Sequence, residues 1–188
     1  MKVSLQTSVI QLIGICVCGY ALKKSNPELI YATSILIYSL VHFILGLIIY
    51  SNPIASNKLV LIYDKSTNLS SCLYIPLVNI QLLTHHNVHL YYLTQLIVFT
   101  SLFIALLTLA GRQWQLLLNT FILAQCILLI YLSFSHDDEN FWLHSLAILA
   151  CLNYFVIPKL VERYSVPRQE LLSVSLIFQN FFLTKSVF

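Results

Sequence analysis

The sequence predicts an all-α integral membrane protein, a helical bundle of about five transmembrane helices with one further short interfacial or re-entrant segment. Three observations predict it. Of 188 residues, 59% are hydrophobic and 9% are charged, whereas an ordinary soluble domain is about a quarter charged. Mean hydropathy is +0.83. The few charges collect at the ends of uncharged stretches of about 20 residues, the length an α-helix needs to cross roughly 30 Å of hydrocarbon.

Such a composition has too few charges to cover a soluble globule, which excludes a soluble enzyme and a disordered chain. Ten Lys and Arg stand against seven Asp and Glu, a net charge of +3. That is far too little positive charge for a phosphate-binding surface, so nucleic acid is not an expected partner. The expected partners are the lipid bilayer and other membrane protein subunits.

Five spans follow in order within a single multi-pass domain covering 1–188. The first, at about 3–22, lies between Lys2 and Lys23, with Gln6, Thr7, Ser8 and Gln11 weakening its first half. We read it as a span rather than a cleaved leader. The second, at 30–50, follows Asn26-Pro27-Glu28. Asn26 suits an N-cap, Pro27 a first turn whose N–H is unpaired anyway, and Glu28 the positive end of the helix dipole. Pro53 disfavours helix in the residue before it and so closes the span.

The third and fourth spans, at 90–110 and 114–134, are separated by Gly111-Arg112-Gln113 alone. So short a connection makes them an antiparallel hairpin. The fifth, at 141–161, is broken near its end by Pro158. Tyr91, Tyr92, Trp114, Tyr131, Trp142 and Tyr164 fall near span ends, where aromatic rings favour the membrane interface.

Between the second and third spans, 51–89 is expected to be a lumenal loop. Within it 71–84 is an apolar run too short to span. The C-terminal segment 162–188 contains a similar run at 171–184. Its polar and apolar residues segregate weakly, so it is expected to lie at the interface or to pack on a partner.

With five spans, Lys23, Lys24, Arg112, Lys159, Arg163, Arg168 and, on the tail, Lys185 share one side, and Lys2, Lys58 and Lys65 the other. Lys and Arg favour the cytosolic side. The N-terminus is then lumenal or extracellular and the C-terminus cytosolic. This arrangement leaves Asn68-Leu69-Ser70 as a lumenal glycosylation sequon. The expected location is a eukaryotic endoplasmic reticulum, endomembrane or plasma membrane.

Five cysteines, Cys16, Cys18, Cys72, Cys126 and Cys151, form no CxxC motif. Four of them sit in spans, where a thiol acts as a small apolar group. There is no GxxxG, so close backbone crossings are not expected to be the main packing device. The expected span interiors carry no Asp, Glu, Lys or Arg. They do carry His42, Asn119 and Asn153, together with Gln95, Gln115 and Gln125, which we read as interhelical hydrogen-bonding groups worth about 1 kcal/mol each.

The densest constellation of potential ligands is His85, His86 and His89 with His136, Asp137 and His144. The hairpin puts the start of the third span and the end of the fourth on one side, so the two clusters share a leaflet. Imidazole and carboxylate ligands suit Zn or Fe. The simpler reading is that these residues are solvated at the interface and that no cofactor is bound. The sequence therefore favours a non-enzymatic accessory, scaffold or assembly subunit of a larger membrane complex, with lipid handling as one form of that role. The alternatives are a metal-dependent lipid enzyme using these clusters, and a small channel or carrier using His42.

Overall fold

The computed structural model describes residues 5–26, 28–52, 55–85, 91–109, 115–134, 141–164 and 168–187. Among them are eight helices and no strand. They are α1 (Leu5–Lys24), α2 (Ile30–Ser51), α3 (Asn57–His85), α4 (Tyr91–Leu109), α5 (Gln115–Phe134), α6 (Phe141–Phe155), α7 (Ile157–Tyr164) and α8 (Arg168–Val187). Two correspond to no expected span. The stretch expected as a lumenal loop is mostly the 29-residue α3, and the C-terminal segment is the 20-residue α8.

Three helices are long and apolar enough to cross a membrane: α1, α2 and the Leu116–Phe134 part of α5. Helices α6 and α7, bent by 41° at their junction, pass the same test only as a pair, either one broken span or a re-entrant turn. The bend falls at Pro158, which has no N–H to give to the preceding turn. Cys72–Thr84 in α3 and Leu93–Leu107 in α4 are shorter apolar stretches.

Helix packing closes a ring, α1–α2–α3–α5–α6–α8 and back to α1, with α4 outside against α3; α4 and α5, expected to pack as a hairpin, barely touch among the described residues, because each packs on α3 instead. Paired residues fix the directions. Tyr50 and Tyr63 rings meet near one end of the α2–α3 pair, His42 meets Ser66 further in, and Gln81 meets the start of α2. Helix α3 therefore runs antiparallel to α2 along nearly its whole length and traverses the bundle. Thr7 pairs with Glu170, Gln11 with Ser173 and Cys18 with Asn180, so α8 runs parallel to α1.

The expected N-cap of α2 is corrected. Asn26 does not cap the helix; its Oδ1 accepts the Glu28 N–H in a local turn. The helix starts at Ile30 without a side-chain cap of its own. Instead, Gln81 Oε1 on α3 accepts the Tyr31 and Ala32 N–H groups, both at 3.1 Å. Two donors that have no partner inside their own helix are thus satisfied from 50 residues away.

The inner face of α1 is Thr7, Gln11, Gly14, Cys18 and Ala21. Steps of 4, 3, 4 and 3 residues make one continuous stripe down the helix. The stripe is polar or small, and Leu5, Val9, Leu12, Ile13 and Tyr20 face outward. On α8, Ser173, Leu176, Asn180 and Leu183 face inward and Phe178 and Phe181 outward. Helix α4 exposes Leu96, Phe99, Leu102, Phe103 and Leu106, and α5 exposes Leu116, Leu123, Ile127, Tyr131 and Phe134. The core is mainly apolar but also buries a set of polar side chains, and large apolar side chains cover much of the outside, which a water-soluble bundle would cover with polar residues.

Close backbone approach also matters more than the missing GxxxG suggested. Gly14 of α1 lies against the Phe43 ring of α2, and Gly46 of α2 lies against the Gln11 side chain of α1. Each helix contributes one glycine, so the pair never appears as a motif within one helix.

Candidate functional site

The bundle interior holds a seam of polar side chains shared by α1, α2, α3 and α8. At one end Thr7 Oγ1 donates to Glu170 Oε1. Tyr50 OH donates to Gln169 Oε1, and Gln169 Nε2 donates to Asp64 Oδ1 at 2.7 Å. One turn deeper, Gln11 Nε2 reaches Ser173 Oγ at 3.0 Å and Tyr63 OH at 3.3 Å. One glutamine thereby ties α1 to both α3 and α8.

His42 sits just below. Its ring stacks on Tyr63, with centroids 4.7 Å apart and planes 13° from parallel. Its Nδ1 lies 3.0 Å from Ser66 Oγ. Tyr38 OH donates to the Ser66 carbonyl at 2.7 Å, which braces the same turn of α3. Further along, Ser39 Oγ donates to Asn180 Oδ1, and Asn180 Nδ2 to Cys18 Sγ, both at 3.4 Å. A separate clasp joins α3 to α5: Asn79 Nδ2 donates to the carbonyl and the side-chain Oε1 of Gln125, both at 2.9 Å.

Beside His42 is a small cavity of about 30 Å³ between α2, α3, α6 and α8, lined also by Thr67, Ser70, Tyr74, Asn153 and Gln179. These lining groups are neutral or an imidazole, a composition that suits hydrogen bonding to a small neutral molecule rather than compensation of a full charge.

The sequence-predicted residues divide into three groups. His42 is buried and central to the seam, and Asn153 lines the cavity. Asn119 is exposed, its Oδ1 accepting from Tyr154 OH at 3.4 Å across α5 and α6. Asn68 occupies an exposed position in the middle of α3. His86, His89, His136 and Asp137 lie outside the described residues, and His85 is the last residue of α3. The C-terminal ends of α3 and α5 lie at one end of the bundle, so the two connections carrying the histidines start from the same end. His144 packs edge-on against Phe134 at 4.7 Å. Among the described residues no group of three His, Cys, Asp or Glu is placed to hold a metal.

Sequence reasoning missed Gln11, Tyr63, Ser66, Ser173 and Asn180 as members of one network. The available signal was the 4-3-4-3 recurrence of polar and small residues in α1. Replacing Gln11 with Leu should lower unfolding stability by about 1 kcal/mol, the scale of interhelical hydrogen bonds in membrane bundles. Ser173→Ala should then add little in the Gln11→Leu background, because the two share one interaction. Thermal unfolding of the purified chain measures both, and full additivity would show that the two residues are uncoupled. No family model matches the chain, and no curated protein or solved structure is significantly similar to it.

Proposed function

We propose that the chain is an integral membrane protein acting as a non-catalytic subunit, an accessory or scaffold component of a larger membrane assembly. The broad apolar outer faces, around a core that also buries polar side chains, carry this reading. Exposed Phe99, Phe103, Leu106, Leu116, Ile127 and Phe134 give α4 and α5 apolar outer faces, whereas Gln11, Ser39, His42, Asn79, Gln81 and Asn180 are buried. Bilayer lipid and apolar partner helices suit such faces, and water does not. Most of the interior polar groups are engaged with one another, and the cavity at His42 is about 30 Å³. With most interior polar groups paired, the broad apolar outward faces are the surfaces through which the chain acts.

The direction of α3 supports a revised orientation. Seven passes, with α3 and α8 included and α6–α7 taken as one, bring Lys58, Lys65, Lys159, Arg163 and Arg168 to one end. The segments carrying Lys2 and Arg112 begin from the same end. Lys23, Lys24 and Lys185 belong to the other. The Lys and Arg excess then makes the N-terminal side cytosolic and the C-terminal side lumenal or extracellular. Asn68 falls at mid-depth on α3 and stays unglycosylated in this arrangement.

The test is affinity purification of the full chain at native expression from gently solubilised membranes. At least one other integral membrane protein should be recovered in fixed stoichiometry after crosslinking. Recovery of this chain alone, from membranes in which it is correctly inserted, would overturn the subunit reading.

A further inference from the structure

The cavity beside His42 carries an inference of its own. Tyr74 is 6% exposed and lines it, and its hydroxyl has no hydrogen-bond partner among the described residues. Asn153 Oδ1, on α6 across the same cavity, is likewise buried and unpartnered. A buried hydroxyl or amide oxygen left without a partner costs about 1–3 kcal/mol, and the penalty grows as the surroundings become less polar. Two such groups on one small cavity point to a ligand that satisfies both.

The groups are complementary. Tyr74 offers an O–H donor and Asn153 a carbonyl acceptor. The ligand must accept from one, donate to the other and carry no charge, because among the described residues no Asp, Glu, Lys or Arg lines the cavity. The volume sets its size. One water needs about 10–15 Å³ of such space, and the cavity offers about 30 Å³. His42 also lines the cavity: Ser66 Oγ occupies its Nδ1 and Tyr63 stacks on its ring, so Nε2 is its remaining hydrogen-bonding nitrogen. Water meets all these requirements, and most larger neutral molecules do not fit.

We propose that this cavity is a built hydration site in which one or two waters link Tyr74 on α3, Asn153 on α6 and His42 on α2. The waters act as a hydrogen-bonded fastener between three helices at a point where the side chains do not reach one another. Buried waters of this kind make about three hydrogen bonds each, and the site provides at least that many partners.

The test uses the full chain in lipid nanodiscs. X-ray radiolysis generates hydroxyl radicals from water in place, so an aromatic ring beside a bound water is oxidised and one in a dry core is not. Tyr74 should be modified, and Phe43, fully buried beneath Gly14, should be silent. A second measurement keeps the sign open. If the Tyr74 hydroxyl is bonded to water, Tyr74→Phe should lower Tm by about 2–4 °C. If the hydroxyl is buried dry, the same substitution removes an unsatisfied group and should raise Tm. Modification of Tyr74 with Phe43 silent, together with a fall in Tm, supports the site. An unmodified Tyr74, or a rise in Tm, overturns it.

Discussion

Gly14→Val should be among the most damaging single substitutions in this chain, lowering stability by about 3 kcal/mol, the upper end of the range for overpacked cores. A Cβ on Gly14 would lie 2.5 Å from Phe43 Cδ1 and 2.6 Å from its Cγ and Cε1. Phe43 is completely buried in the bundle core and has no room to retreat. Helix α1 must therefore move off α2, and that movement also pulls Gln11 away from Ser173 and Tyr63. At this chain length the loss corresponds to a fall in Tm of about 6–12 °C. Gly19→Ala, on the same helix, should do the opposite. No described residue lies within 4 Å of a Cβ added there, and Ala favours helix over Gly by about 1 kcal/mol. Thermal unfolding of both variants separates local crowding from a general glycine effect. Equal and small shifts at 14 and 19 would mean that α1 and α2 do not meet as closely as the Gly14–Phe43 contact requires. Partial rescue of Gly14→Ala by Phe43→Leu would locate the clash at that ring.

Much of the fold was legible in the sequence. Helices occupy all five stretches expected to span, and the Pro158 break falls where the sequence puts it. What hid the rest is physical. The first half of α3 carries Lys58, Asp64, Lys65 and Asn68, so hydropathy reads it as a loop. Asp64, however, receives a hydrogen bond from Gln169 on α8, and such long-range compensation has no local trace. The second half, Cys72 to Leu83, is buried on almost every side, and no periodicity marks a helix surrounded by others. In α1 the expectation failed by sign. Thr7 and Gln11 look like defects in an apolar span, yet they form its inward stripe. His42 was visible as an isolated ionisable group, but its partners Tyr63 and Ser66 belong to the stretch read as a loop. The seam thus became legible only once α3 had a direction.

That direction yields an all-or-none prediction. A chain with five passes and a loop over 51–89 puts both ends of that loop on one side of the membrane. A chain in which α3 runs from beside Tyr50 to beside Tyr31 puts them on opposite sides. Single cysteines introduced as Ala55→Cys and Asn87→Cys report on the two ends. A membrane-impermeant maleimide applied to sealed vesicles of known orientation should label one variant from outside, and the other only after permeabilisation. With the Lys and Arg excess at the Lys58, Lys159 and Arg163 end, position 55 should be the cytosolic one. Position 87 should be lumenal, together with the connection that carries His136 and Asp137. The five native cysteines complicate the experiment little: four lie within helices expected to be in lipid and Cys72 is buried, so background labelling of the unaltered chain should be low. Labelling of both variants from the same side would return α3 to the membrane surface and restore the five-pass arrangement. Labelling from opposite sides with position 55 lumenal would keep the crossing and reverse the orientation. Because the lysines are exposed and the helix contacts are buried, these two outcomes separate two causes. Packing of Tyr63, Ser66 and Gln81 against α2 decides whether α3 crosses, and the distribution of Lys and Arg decides which way it faces.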